Sequence, residues 1–200
     1  MGITATSRAQ LNQDLWVLQN IRKPGYFVEF GAFHPHTLSN TSLLEEHGWR
    51  GVSVDPFPAG DWTERPNTTL IKTVVTADGR EVEFIKGDEL GGIVEHVNSH
   101  RDKVADKERV RLPSMTPMQI LEQVEAPTTI EYMSIDVEGA ELEILEAFPF
   151  DAYTVKLLTV EHNYEEQKRT QIRNFLRTKD MHHIAPNKWD DCYVHASMLG

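Results

Sequence analysis

An α/β fold, wound from βαβ units into a mostly parallel sheet with helices on both faces, is predicted by three features of the 200-residue chain. Apolar runs of strand length alternate with amphipathic stretches of helical spacing. Four of those runs finish on acidic residues or glycine, where scattered surface carboxylates would not fall so regularly. At 40% hydrophobic residues the chain can bury one substantial core and too little for two. The expectation is a single domain over 1–200, with an N-terminal helix in 1–24 and a doubly wound core over 25–195.

The elements follow in order. Leu11, Leu15, Leu18 and Ile21 recur at helical spacing until Pro24-Gly25 breaks the helix. Tyr26 to Phe30 is the first strand. After a loop from Gly31 to His36, Ser39-Asn40 caps a helix through Leu43, Leu44 and His47, stopped by Gly48. Gly51 to Asp55 is the second strand, ended by Pro56 and Pro58. Thr69 to Val75 reads as a third strand, and Asp78-Gly79 as a hairpin turn into a run at Glu81 to Ile85. From Gly87 to Asp106 no apolar rhythm demands a core element, which predicts a mobile or substrate-side loop. Pro117 to Val124 is helical, Thr128 to Asp136 contains the fourth strand, and Gly139 to Ala147 is a helix. Thr154 to Glu161 is the fifth strand, Glu165 to Lys179 a helix, and Met181 to Ile184 with Cys192 to His195 the closing strands.

A charged fraction of 26%, a net charge of −11 and the absence of any lysine- or arginine-rich run disfavour nucleic acid as a partner. No stretch approaches the roughly 20 apolar residues that cross a bilayer. The lone Cys192 can form neither an internal disulfide nor a thiolate metal cluster, and reads as packing in a late strand. A cytoplasmic protein is expected, and a homo-oligomer is compatible with the sequence.

In an open parallel sheet, ligands collect beyond the carboxyl ends of the strands, near the switch in strand order. Four ends are suspect here: Glu29-Phe30-Gly31-Ala32, Asp55-Pro56, Ser134-Ile135-Asp136-Val137-Glu138-Gly139 and Glu161-His162-Asn163. Gly31 lets backbone come close to a cofactor, and Glu29 could accept from an ammonium group. Alone, these describe a tight turn beside a solvated acid. Asp55, at the end of the second strand, adds a carboxylate suited to two ribose hydroxyls. With no G-x-G-x-x-G, a dinucleotide is disfavoured, and a nucleoside without phosphates fits better. S-adenosylmethionine is the commonest such molecule.

Asp136, Glu161 and His162 form a second constellation, with oxygen and nitrogen groups suited to Mg2+ or Mn2+. The same residues also read blandly, with Asp136 and Glu138 capping the next helix and His162 a satisfied loop histidine. Without metal, His162 could serve as general base. His34-Pro35-His36 has no third ligand nearby and reads as shaping the pocket, and His182-His183 as a surface strand edge.

Tyr26 to Pro35, Leu38-Ser39-Asn40-Thr41 and Gly48 to Pro56 resemble the opening of the FkbM-type methyltransferases. Ser134-Ile135-Asp136-Val137-Glu138-Gly139-Ala140-Glu141 and Val160-Glu161-His162-Asn163 resemble that family's later blocks. The likeness spans about Gly25 to His195. It implies a class I, Rossmann-like fold of seven strands, S-adenosylmethionine as donor and methylation of a hydroxyl oxygen. Carried over, Glu29, Gly31 and Ala32 would lie by the methionine part of the donor, and Asp55 and Pro56 by the ribose. Ser39 and Asn40 match a block beside the cofactor loop, and Asp136 would lie near the transferred methyl. Many members have Asp-Gly where this chain has His34-Pro35. Catechol-type O-methyltransferases place metal ligands at the strand ends matched here by Asp136, Glu161 and His162. The implied acceptor is a small-molecule or glycan hydroxyl. The rival readings are a metal-dependent hydrolase or nucleotide-sugar enzyme on a similar sheet, and a non-catalytic Rossmann binding module.

Overall fold

The computed structural model describes residues 5–87, 90–96, 101–104 and 106–200. Its main sheet has seven strands: β1 (Tyr26–Phe30), β2 (Arg50–Val54), β3 (Thr68–Ile71), β9 (Thr129–Ile135), β10 (Thr154–Glu161), β11 (Met181–Asn187) and β12 (Asp190–His195). They lie in the order β11-β12-β10-β9-β1-β2-β3. Neighbours from β3 to β10 run parallel, and β12 is antiparallel to both β10 and β11. The order therefore reverses between β1 and β9, which opens a crevice beyond their carboxyl ends. This is the mostly parallel, seven-stranded α/β sheet expected.

Two apolar clusters cover the two faces. Strand alternation sends Phe27, Tyr132 and Leu157 to one face, where Val17 and Leu18 of α1 (Gln13–Asn20) and Leu43 and Leu44 of α2 (Ser42–Glu46) bury them. Val28, Met133 and Leu158 turn to the other face. They meet Ile120 and Leu121 of α3 (Pro117–Gln123), Ile144 and Leu145 of α4 (Glu141–Ala147), and Ile172 and Leu176 of α5 (Glu166–Arg177). A capping box starts α3: Thr116 Oγ1 accepts from the Gln119 N–H, and Gln119 Oε1 from the Thr116 N–H. Among the described residues no helix is long and apolar enough to cross a membrane.

The region between β3 and α3 departs from expectation. The third apolar run breaks at Lys72-Thr73 into β3 and β4 (Val74–Val75), and β4 pairs in parallel with β8 (Ser114–Met115). β5 (Val82–Ile85) is flanked antiparallel by β6 (Gly92–Ile93) and β7 (Arg109–Leu112). The Asp78-Gly79 turn therefore joins two different small sheets and is not a hairpin, because later chain supplies partners to both of its arms. The segment 87–106, expected as a loop, contributes β6 and a 3-10 turn at Arg101–Val104, with Ile93 and Val104 buried. Positions 88–89, 97–100 and 105 of that segment lie outside the described residues.

Candidate functional site

Register gathers the site. Phe30 pairs with Val54 and Ile135, and Ile135 with Val160. The residues one step further, Gly31, Asp55, Asp136 and Glu161, therefore form one row across the carboxyl edge of four adjacent strands. All four line a cavity of about 450 Å³. Ala32, Asn40 and Pro56 line it as well, as do Leu90, Gly91 and Ile93 of the segment expected to stand on the substrate side.

Gly31 has φ +86°, and a Cβ there would collide with the Asp136 carbonyl oxygen. No other residue fits, and the loop comes back over the sheet because of it. Asp55 Oδ2 accepts from the Phe33 N–H at 3.0 Å and Oδ1 from the Phe57 N–H at 2.7 Å, which fixes the carboxylate at the cavity wall. Burial raises its pKa, against those two hydrogen bonds. Asn40 Nδ2 donates to Ser134 Oγ at 2.9 Å, while its buried Oδ1 has no hydrogen-bond partner. An acceptor buried in that condition asks for a donor from a ligand.

Two predicted contacts stand behind the wall instead. Glu29 does not line the cavity. Its carboxylate accepts from Thr41 Oγ1 and Ser53 Oγ, each at 2.7 Å, and from the Asn40 N–H at 3.1 Å. Burial raises its pKa even so. Ser39 Oγ accepts from the Ser42 N–H at 3.0 Å and is buried as well. Both organise the loop from Gly31 to Asn40 from beneath. Sequence reasoning missed the hub they share: buried Arg65 pairs with Glu45, donates to Pro35 O at 2.9 Å and Thr41 Oγ1 at 3.1 Å, and lies 5.8 Å from the Phe27 ring centroid. No local pattern around Arg65 marks it.

The acidic end also differs from expectation. Among the described residues, Asp136, Glu138 and Glu161 form the grouping whose ligand atoms lie within 4.8 Å of one another. Burial, then the neighbouring carboxylates, drives the pKa values of Asp136 and Glu161 up. Such crowding favours a protonated carboxyl at Glu161. Glu138, read from sequence as a helix cap, takes the place expected for His162; the glycine after it was the available signal.

His162 is a correction. His162 lies one residue beyond β10 and does not line the cavity that Glu161 lines. The imidazole is buried, its Nδ1 accepts from the Tyr164 N–H at 3.0 Å, and Nε2 sits 3.7 Å from Asp191 Oδ1 without a hydrogen bond. Burial, then Arg169, lowers its pKa. It neither lines the cavity nor joins the Asp136, Glu138 and Glu161 grouping. His34 Nδ1 accepts from the His36 and Thr37 N–H groups, and His36 bridges Ser42 and Glu64. Cys192 is buried, with its thiol pushed up to about 12 by burial.

Backbone strain points to the same place. Among the described residues, nine non-glycine residues have positive φ, and five of them, Phe33, Leu38, Glu138, Asn163 and Tyr164, line this cavity. Such conformations persist where surrounding structure holds them, which favours a functional cavity over a packing fault. Glu141 Oε1 holds one such loop, accepting from the Gly139 N–H at 2.8 Å, while Lys168 Nζ meets Glu141 Oε2 at 3.0 Å.

The sequence matches a known family. The family model described as the methyltransferase FkbM domain matches residues 28–184. No curated protein matches the chain significantly. Among solved structures, a precorrin-6y C5,15-methyltransferase from Geobacter metallireducens GS-15 is similar at 10% identity and a TM-score of 0.44, over 96% of this chain and 92% of that one. A likeness at that level carries no argument about this chain.

Proposed function

From the premise that the chain belongs to the FkbM methyltransferase domain family, we propose that its cavity binds S-adenosylmethionine. The methyl is transferred to a hydroxyl oxygen of a sugar, glycan or small metabolite. The observation that carries this reading is the row Gly31, Asp55, Asp136 and Glu161 at the switch point of the sheet. The residues fit the cofactor. Asp55 has lone pairs left for ribose hydroxyls, Gly31 leaves backbone room, and Asn40 Oδ1 offers a buried acceptor to an ammonium group. The cavity has the size of a small-molecule site.

The cofactor supplies a methyl already activated on a positively charged sulfur. The protein's own task is alignment, exclusion of water and removal of one proton. Asp136, its basicity raised by burial, takes the hydroxyl proton at a carboxylate oxygen. The carboxylates also attract positive charge into the site.

A metal-assisted form of the same reaction is favoured by one observation, the three carboxyl groups within 4.8 Å. Asp136, Glu138 and Glu161 would hold Mg2+ or Mn2+, hard ions that take oxygen ligands. The ion would lower the pKa of the acceptor hydroxyl.

Isothermal titration of the full chain with S-adenosylmethionine and S-adenosylhomocysteine tests the reading. Saturable heat from both is expected. Absence of heat, with no rise in melting temperature, would remove its basis.

A further inference from the structure

The family match spans residues 28–184, yet Gln10, Gln13 and Trp189, which line the cavity, lie outside it. Their two segments are joined across nearly the whole chain. Gln13 Nε2 donates to Asp190 Oδ2 at 2.7 Å, Asn187 Nδ2 to Leu11 O at 2.9 Å, and Trp189 Nε1 to Gln10 Oε1 at 3.2 Å. Asp14, fully buried, accepts from Ser7 Oγ and from the N–H groups of Arg8 and Ala9, folding the preceding strap into a fixed turn. The hairpin tip is tied in turn to the acidic end: Trp189 O accepts from the His162 N–H at 2.7 Å and the Asn163 N–H at 3.3 Å. Strap and hairpin tip make one rigid wall beside Glu161 and Asn163.

Charge limits what this wall can face. Asp55, Asp136, Glu138 and Glu161 line the cavity, and among the described residues no lysine, arginine or histidine does. With no metal on Asp136, Glu138 and Glu161, a phosphate or carboxylate on the acceptor would meet like charge, whereas the donor's own carboxylate enters beside its ammonium and sulfonium with net positive charge. Amide side chains both donate and accept, so they recognise hydroxyls whichever way these point, and an indole offers apolar surface to C–H groups.

We propose that the strap and the β11–β12 hairpin tip select the acceptor, with Gln10 and Trp189 as specificity-determining residues, and that this acceptor is a hydroxyl compound bearing neither phosphate nor carboxylate. Gln13, bonded to Asp190 and to the Leu11 N–H, is a positioning residue that fixes the strap. The inference rests on the methyl-transfer reading above. It places recognition in parts of the chain outside the matched family region.

The test uses full-length protein, labelled S-adenosylmethionine and a pool of methyl hexosides and methyl 6-deoxyhexosides, each paired with its phosphorylated and nucleotide-linked counterpart, read by mass spectrometry. Wild type is expected to label neutral members alone. Gln10→Ala and Trp189→Phe should raise KM for the labelled acceptor at least tenfold and change the product ratio, while the Kd for the donor stays within twofold, which also reports an intact fold. Label in the phosphorylated members, no label anywhere despite donor binding, or unchanged KM and product ratio in both variants would overturn the inference. So would loss of donor affinity in both variants, which would assign the wall to the donor. Wild type that binds no donor sinks the earlier reading instead.

Discussion

Glu161→Gln probes the acidic end of the cavity through stability rather than catalysis. In the folded chain burial and the neighbouring carboxylates raise the Asp136 and Glu161 pKa values, so the pair is expected to hold a proton. In the unfolded chain both carboxyls titrate near 4 and are ionised by pH 6. A group whose folded pKa is raised contributes stability that is complete below the unfolded pKa and is lost as pH rises towards the folded one. One retained proton corresponds to about 1.4 kcal/mol per pH unit. Between pH 6 and 8 the ligand-free wild type should therefore lose about 2.7 kcal/mol from this pair, roughly 5–10 °C in Tm for a chain of this length. Glu161→Gln removes the ionisable group that burial, Asp136, Glu138 and Glu141 push up, while Asp136 keeps the burial and the Glu138 and Asp190 charges that raise its own pKa. Its Tm should fall less over the same interval by most of that amount. Thermal melts by circular dichroism at pH 6, 7 and 8 supply both curves, and subtraction cancels groups common to the two proteins. Parallel curves would show that Glu161 is not the group that holds the proton.

Asp55→Ala should weaken donor binding at least tenfold by calorimetry, since it removes the ribose acceptor and frees the Phe33 and Phe57 N–H groups; an unchanged Kd contradicts the ribose assignment. Arg65→Met leaves buried Glu45 without its cation and should cost about 3–5 kcal/mol in denaturant unfolding, whereas a near-neutral change would show that the loop does not depend on this hub. Gly31→Ala combines about 1–2 kcal/mol of left-handed strain with displacement of the Asp136 carbonyl, so donor binding should vanish; retention of wild-type affinity would mean that the loop has another arrangement. If Asp136, Glu138 and Glu161 hold a metal, EDTA should abolish turnover, and Mg2+ should restore it in wild type but not in Glu138→Gln. Full activity in chelator removes the metal from the mechanism.

The sheet was legible because each strand carries its own periodicity and its own stop. β1 and β10 run where the apolar pattern puts them, and the polar strand ends pointed to the cavity. What sequence could not supply was direction. Whether Glu29 faces a ligand or its own loop depends on Thr41 and Ser53 arriving beneath it, and these are contacts of tertiary origin. The direction of His162 is likewise tertiary: nothing local shows that its imidazole meets the Tyr164 N–H and lies beside Asp191 outside the cavity. The Asp78-Gly79 turn carried a valid local hairpin signal, but pairing is settled by whichever partner strand the rest of the chain delivers. Gln10, Gln13 and Trp189 were invisible because their joint wall exists only when residues 177 or more positions apart meet.

A crystal structure of the full chain with S-adenosylhomocysteine examines the central assignment most directly. The ribose hydroxyls are expected on the Asp55 carboxylate, the backbone of Gly31 against the ligand, and Asn40 Oδ1 accepting a hydrogen bond from it. Ligand bound away from this row, or Asp55 facing elsewhere with the nucleoside in place, would contradict the account.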